Sequence, residues 1–539
     1  MGVAPSVSFI YFQTTIHFLP FLPERQPMQP ILTVQQMRNV DRSAIGDDPT
    51  TGYRYMQRAG MGLYHAARKM VPDTASGEIA IICGKGNNGG DGYVAGRLLA
   101  EKGYRVACYS LVPPENLAGE CLLAYRDYSA AKLPVITLDD LADFPHPSRF
   151  SLIIDALLGT GLKGNPHGLH ALMIDTINNC PVPVLAVDTP SGLDNDTGLP
   201  GFPCIRATTT VAMGFSKPGH HFFPGKSFTG TLIVEDLSYP DDIVVRERPI
   251  MMLTDHTDFR KLLPRRHPDG SKFDHGLALL AGGSPGMTGS VTLMAEAAQR
   301  CGCGMVHCAV PGSIGDILAI KLTEPVLHTL PVTPEGALDV SAVGPLLHLA
   351  GRMQALCIGP GLSHSEATVS LVRQVIRNCP LPTVLDADGI NAFKGIAEEL
   401  ADHAAGELCI TPHKGEWERL FGPLPPDPCD RAELLATTAQ RLRTTILLKG
   451  NPTLVAAPDG TVSLLPYGNS ALAKAGSGDV LSGCITSFIA QGMNVTDAIL
   501  LGAYIHGKAG EQASLEFTEY GVTARSAIDY IAPTIRSLL

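Results

Sequence analysis

The run Ala475-Gly476-Ser477-Gly478-Asp479-Val480-Leu481-Ser482-Gly483 joins a glycine- and serine-rich turn to an apolar stretch that reads as the start of a helix. Backbone N–H groups at such a start point at one spot, with the positive end of the helix dipole behind them. Gly476, Ser477 and Gly478 therefore predict an anion site. A carboxylate beside a bound phosphate repels it. Asp479 is better read as a base that takes a proton from a substrate held next to the phosphates. The competing reading is a tight turn with Asp479 as a helix-cap residue.

Loops of similar chemistry stand earlier in the chain. Gly84-Lys85-Gly86-Asn87-Asn88-Gly89 has the GxGxxG spacing of a dinucleotide loop and follows the apolar run Glu78–Cys83. Such a fold also needs an acid at the end of the next strand to hold a ribose. Here that strand ends at Tyr109-Ser110-Leu111. Asn87, Asn88 and Asp91 crowd the loop instead, which predicts a polar ligand and argues against hydride transfer. Asp155 and Asp188 each end a predicted strand. The first is followed by Gly159-Thr160-Gly161-Leu162-Lys163-Gly164, the second by Thr189-Pro190-Ser191-Gly192. Capping of a turn is the alternative for both acids, but two strand-end carboxylates beside glycine-rich loops favour a site.

In the second half, Lys449-Gly450-Asn451-Pro452-Thr453 follows a buried strand, where a lysine can meet a nucleotide phosphate. A hairpin turn with a solvated lysine is the other reading. Thr411-Pro412-His413-Lys414-Gly415-Glu416 ends another strand and opens a helix. His413 alone would read as a core histidine; Pro412 and Gly415 around it suggest a loop in the site. Gly359-Pro360-Gly361-Leu362, Asp386-Ala387-Asp388 and the loop 282–289 also end strands.

The elements that must position these residues alternate between strands and helices. In the first half, strands are predicted at Glu78–Cys83, 105–111, 151–155, 182–187, 211–214 and 231–234, with helices at 93–102 and 170–179. In the second, strands are predicted at Leu277–Ala281, 305–310, Ala355–Ile358, 383–386, 408–411 and 445–448, with a helix at 291–300. Such alternation implies mainly parallel sheets. The charged stretch 239–250, with Pro240 and Pro249, is the expected boundary. It divides the chain into 28–245 and 246–539, two folds with no sequence repeat between them.

The 539 residues carry a net charge of −11, which argues against nucleic acid as a main partner. Thirteen scattered cysteines, without a CxxC pair, read as buried thiols in a reducing compartment. The segment 7–23 is apolar but interrupted by Gln13, Thr14, Thr15 and His17, and no Lys or Arg precedes Arg25. It lacks the basic start of a signal peptide and is too short and polar for a membrane span. Residues 1–27 read as an extension left by a mis-assigned start, with Met28 as the expected true first residue.

The motifs GKGNNGGDG, DALLGTGLKG and DTPSG resemble the N-terminal domain of the NAD(P)H-hydrate epimerase family, over 28–238. The resemblance implies a Rossmann-like three-layer α/β sandwich. It implies that Asn87, Asn88, Gly89, Gly90 and Asp91, with Gly159, Thr160, Gly161, Leu162, Lys163, Gly164 and Asn165, contact a hydrated nicotinamide nucleotide, NAD(P)HX. It also implies a potassium ion near Asn88, Asp155 and Ser191, and Asp188 as the proton carrier. From Met251 onward, GGSPGMTGS, GPGL, LDAD, TPHKGE, LLKG and AGSGD resemble the ribokinase-like superfamily and, within it, the ADP/ATP-dependent NAD(P)H-hydrate dehydratases. That resemblance implies nucleotide contacts from Lys449 to Thr453 and from Gly476 to Gly478. It implies hydrate contacts from Ser290, Gly361 and His413, Asp479 as catalytic base, and magnesium accompanying ADP or ATP. The expected partners are NAD(P)HX and ADP or ATP, with neither nucleic acid nor membrane, in a cytoplasmic homo-oligomer.

The chain departs from the family pattern in places. Ser290 and Cys303 stand where Ala is frequent, Ser363 follows GPGL in place of Gly, and Ser271-Lys272-Phe273 replaces the usual HKG start. Two other readings stay open. One is a small-molecule kinase of the ribokinase superfamily, which shares GxGD, fused to a non-catalytic Rossmann-like domain. The other is a scaffold like those in RNA-decapping assemblies, which tend to lose the loop and the acid that are present here.

Overall fold

The computed structural model describes residues 28–46, 48–161 and 164–539. The extension 1–27 and the loop residues Leu162 and Lys163 lie outside the described residues.

In strand Glu78–Cys83, Ile79, Ile81 and Cys83 face one apolar core, and Ala80 and Ile82 face another. A strand buried on both faces is a continuous apolar run inside a parallel sheet. Among the described residues the sheet has seven parallel strands; the inner five follow this rule, and the edge strands Val135–Thr137 and Thr231–Glu235 are partly exposed. Their spatial order is Val135–Thr137, Arg105–Ser110, Glu78–Cys83, Phe150–Ala156, Val184–Val187, Thr209–Met213 and Thr231–Glu235. Helices Pro49–Met70 and Asn87–Glu101 cover one face, and Gly168–Asn178 packs on the other.

The second half repeats the layering around a larger sheet. Ala278 and Leu280 of Leu277–Ala281 face one core, and Leu279 and Ala281 face the other. Thr444–Leu448, Leu408–Ile410, Thr383–Leu385, Ala355–Ile358, Leu277–Ala281, Met305–Pro311 and Val326–Leu330 run parallel in that order. Beyond Thr444–Leu448 the sheet continues through the antiparallel strands Thr453–Ala456 and Val462–Leu465 to Met251–Leu253.

The structure departs from the sequence reading in three places. The helix expected over 93–102 begins at Asn87, so Asn87 to Asp91 form its first turn and do not belong to a loop. Tight packing allows this: a Cβ on Gly89 would lie 2.1 Å from the Gly84 carbonyl oxygen. Likewise the helix expected over 291–300 begins at Thr288. Third, Gln29–Ile31 precedes the first sheet in sequence but joins the edge of the second, antiparallel to Met251–Leu253. The two bodies are thus interlocked. Phe222 of the first is buried in the core of the second, beneath the Arg431 guanidinium at 5.7 Å from its ring centre.

Helix Ser477–Ala490 is buried along most of its length and crosses helix Thr288–Arg300 closely. Gly483 sits at the crossing, where a Cβ would lie 2.3 Å from the Met294 carbonyl oxygen. Backbone gives way poorly, so Gly483→Val is expected to cost about 2 kcal/mol by overpacking. In a body of this size that corresponds to a Tm lower by roughly 4–8 °C in thermal unfolding.

Candidate active sites

Ligands bind open α/β sheets at the carboxyl ends of the strands. In the first sheet that edge holds a cavity of about 160 Å³, with Asn87, Asn88, Asp91, Thr160 and Asp188 on its wall. Asp188 leaves its strand with φ 61°, a conformation that Asp tolerates better than most residues and that turns its side chain into the cavity. Its carboxylate accepts from Lys217 Nζ at 2.5 Å and from the Met213 N–H at 3.0 Å. Asp188 is 7% exposed and Lys217 1%. Two further acids face this pair. Asp91 is held well above the ordinary carboxylate range, first by burial and then by Asp188 and Asp41, with Lys217 pulling the other way. Asp41, which accepts from the Tyr239 hydroxyl at 2.6 Å, is also raised, chiefly by burial. Burial and neighbouring negative charge thus favour the protonated forms of Asp91 and Asp41 beside the Asp188–Lys217 pair.

Lys217, Asp41 and Tyr239 were not singled out by the sequence. Asp41 left a signal: with Met37 and Ile45 it recurs at a spacing of four along helix Val34–Ile45, and all three line the cavity. Gly89 and Gly90 are buried and do not line the cavity. Gly161, Gly164 and Asn165 are off its wall, and Asn165 accepts from the Phe202 N–H at 3.1 Å.

Asn88, Asp155 and Ser191 meet around the backbone of Leu158. The buried Asp155 carboxylate accepts from the Ser191 N–H at 2.8 Å, the Ser191 hydroxyl at 2.6 Å and the Leu157 N–H at 3.3 Å. Ser191 Oγ accepts from the Leu158 N–H at 2.9 Å, and Asn88 Nδ2 donates to the Val187 carbonyl at 2.8 Å. Among the described residues no Lys, Arg or His forms an ion pair with Asp155, and burial pushes its carboxyl up to about 6. A desolvated carboxylate amid hydroxyl and carbonyl oxygens fits a hard monovalent cation.

In the second body, helix Ser477–Ala490 starts after Gly476 at φ 88°. Gly476 holds the capping position, so the helix-cap reading of Asp479 does not apply. Ser477 and Gly478 line a cavity of about 980 Å³ together with Lys449, His413, Tyr467 and Asn469. Lys449 Nζ donates to Asp386 Oδ1 at 2.6 Å and would lie 3.3 Å from a Cβ on Gly478. Any larger residue at 478 would push between the ammonium and the helix N-terminus. The Asp386 carboxylate, 1% exposed, also accepts from the Ser482 hydroxyl at 2.7 Å and the Ala387 N–H at 2.8 Å. Burial opposes the charge on Lys449, yet Asp386 and Glu416 more than offset this and hold it above the ordinary lysine value.

Asp479 is off the wall of this cavity and near Ser290, whose side chain favours its ionised form. Ser290 Oγ lies 3.1 Å from where a Cβ on Gly361 would be, so Ser290, Gly361 and Asp479 form one cluster. Burial, then the Asp386 carboxylate, pushes the Asp479 carboxyl up to about 6, against the pull of Ser290 and Lys449. His413 caps helix Lys414–Phe421, with Nδ1 accepting from the Gly415 and Glu416 N–H groups at 2.9 and 3.2 Å. Its ring also lines the large cavity, so it is a loop residue and not a core histidine. Thr453 opens a strand and lines that cavity, whereas Pro452 is buried and faces the cleft between the bodies. His506 was not anticipated. It contacts Ser477 Oγ at 3.0 Å and is lowered to about 4 by burial and by Lys449.

Two family models match the chain. One, described as NAD(P)H-hydrate dehydratase, matches residues 278–533. The other, described as YjeF-related protein N-terminus, matches residues 52–219. The bifunctional NAD(P)H-hydrate repair enzyme of Moorella thermoacetica is 39% identical over 515 residues, covering 94% of this chain and 97% of its own. The chain belongs to this family. The Escherichia coli member is 30% identical over 489 residues, with 90% of each chain covered. The first body is Rossmann-like and the second ribokinase-like. Among solved structures, the ADP/ATP-dependent NAD(P)H-hydrate dehydratase from Bacillus subtilis, co-crystallised with ATP and Mg2+, is 28% identical with a TM-score of 0.44. That match covers 53% of this chain and 98% of the Bacillus chain. Among the described residues no helix is long and apolar enough to cross a membrane.

Proposed function

We propose that the chain repairs hydrated nicotinamide nucleotides with two separate centres. Residues 28–245 interconvert R- and S-NAD(P)HX, and residues 246–539 dehydrate S-NAD(P)HX to NAD(P)H while consuming ADP or ATP. The observation that carries the second activity is the placement of Asp479 one residue past Gly478. That puts a carboxylate of raised pKa beside a helix N-terminus and the Lys449 ammonium.

At the first centre the hydroxyl on C6 of the reduced ring leaves one face and returns to the other. Departure needs a proton delivered to oxygen, and re-addition of water needs one removed. Asp188 performs both, held in place by Lys217, while Asn87, Asn88, Asp91 and Thr160 contact the nucleotide. Asn88, Asp155 and Ser191 would hold potassium, which would supply positive charge beside the buried Asp155 carboxylate.

At the second centre, hydroxide is a poor leaving group and phosphorylation converts it to a good one. Asp479 takes the hydroxyl proton as the oxygen attacks the terminal phosphate. The N–H groups of Gly476, Ser477 and Gly478, with Lys449, stabilise the charge that develops on the transferred group. Loss of phosphate from C6 and of a proton from C5 restores the double bond. Ser290, Gly361 and His413 position the hydrate, and Lys449 to Thr453 hold the nucleotide, whose phosphates bring magnesium with them. The net charge of −11 and the thirteen free cysteines support a cytoplasmic enzyme that does not act on nucleic acid.

Asp188→Ala is expected to abolish R-to-S conversion, read by chromatography, and to leave dehydration of purified S-NADHX intact. Asp479→Ala is expected to do the reverse, with dehydration falling at least a hundredfold. Equal loss of both activities in either variant contradicts two separate centres. The Asp479 carboxyl must be ionised to act as base, so dehydration should fall as pH drops through about 6. Ser290→Ala removes a hydroxyl that favours the ionised form and should move that limb to higher pH. A limb that stays put, or moves to lower pH, contradicts the assignment of Asp479 as the titrating group.

A further inference from the structure

The nucleotide cavity is not closed by its own domain. Phe223, from the segment between the strands Thr209–Met213 and Thr231–Glu235 of the first body, lines the cavity of about 980 Å³. It also lines the neighbouring cleft of about 620 Å³, and both cavities share Lys449, Gly450 and Asn451. The loop is anchored on both sides of this ring. Phe222 is buried in the apolar core of the second body, and Lys226 Nζ donates to Asn451 Oδ1 at 2.7 Å. Lys226 Nζ also lies 5.8 Å from the centre of the Phe223 ring. Phe223 itself is 56% exposed. A rigidly held aromatic ring, its neighbour buried and its own face open to a cavity, is a platform that gains contact area when a planar ligand arrives.

We infer that Phe223 and Lys226 complete the nucleotide site of the second body from the first. Phe223 is the platform for the base of ADP or ATP. Lys226 is a positioning residue that fixes Asn451, and through it the Lys449–Thr453 turn. The inference rests on the proposal that this cavity takes ADP or ATP. It also gives the fusion a physical consequence: the second body alone lacks one wall of its nucleotide pocket. Both residues lie nine or fewer positions from Lys217, which holds Asp188, so one loop is tied to both centres.

The test uses the full chain with purified S-NADHX and Mg2+, following NADH by absorbance and measuring ADP affinity separately by calorimetry. Phe223→Ala should raise KM and Kd for ADP at least fivefold with kcat changed less than twofold, and Phe223→Tyr should restore them. Lys226→Met should raise KM for ADP with the melting temperature and the KM for the hydrate unmoved, a split that a merely structural loss does not give. If Phe223→Ala and Lys226→Met both keep wild-type KM and Kd for ADP and for ATP, the inference is overturned while the dehydratase reading stands. If the wild-type chain binds neither nucleotide, both fall together.

Discussion

A carboxylate buried to the extent of Asp386 is unstable unless positive charge and hydrogen-bond donors surround it. Here it is met by Lys449 Nζ, the Ser482 hydroxyl and its neighbour's N–H. This arrangement organises the second centre. It fixes a lysine ammonium at the N-terminus of helix Ser477–Ala490, two sources of positive potential aimed at one place. It also places a second negative charge near Asp479 and helps to raise that carboxyl to about 6. The carboxylate that holds Lys449 thereby makes the neighbouring acid a stronger base. Replacing such a pair with apolar side chains often stabilises a fold, so its presence in a core points to function.

The first centre solves a related problem with different residues. Asp188 pairs with Lys217, and Asp91 and Asp41 face the same small cavity, where burial and neighbouring negative charge raise both carboxyls. A centre that must both donate and accept a proton at oxygen benefits from that arrangement. The strand Gln29–Ile31, the buried ring of Phe222 and the Lys226–Asn451 hydrogen bond tie this body to the other. The two centres are thus distinct in chemistry and continuous in structure.

Much of this was legible in the sequence, for identifiable reasons. Buried parallel strands are continuous apolar runs, so Glu78–Cys83 and Leu277–Ala281 could be read directly. A Gly-Ser-Gly turn before an apolar stretch has few conformations open to it, and the helix begins at Ser477 as that run predicts. Glycine misled at Asn87 to Asp91, where close packing against the strand end, not loop flexibility, requires it. Strands of three to five residues, such as Gln29–Ile31, Met251–Leu253 and Val462–Leu465, owe their existence to pairing across distant sequence and carry little pattern of their own. The buried ion pairs were hidden for the same reason. Lys217 is 29 residues from Asp188, and Asp386 is 63 from Lys449, and no local spacing announces either pair.

The central claim is that one chain carries both an epimerase and a nucleotide-dependent dehydratase. The most direct measurement is a time course with an R,S mixture of NADHX, with and without ADP or ATP, followed at the absorbance of NADH. The account predicts no NADH without nucleotide. With it, a first phase should consume the S form and a second, limited by epimerisation, should carry the R form to completion. A chain that forms no NADH with either nucleotide, or that stops when the S form is exhausted, contradicts it.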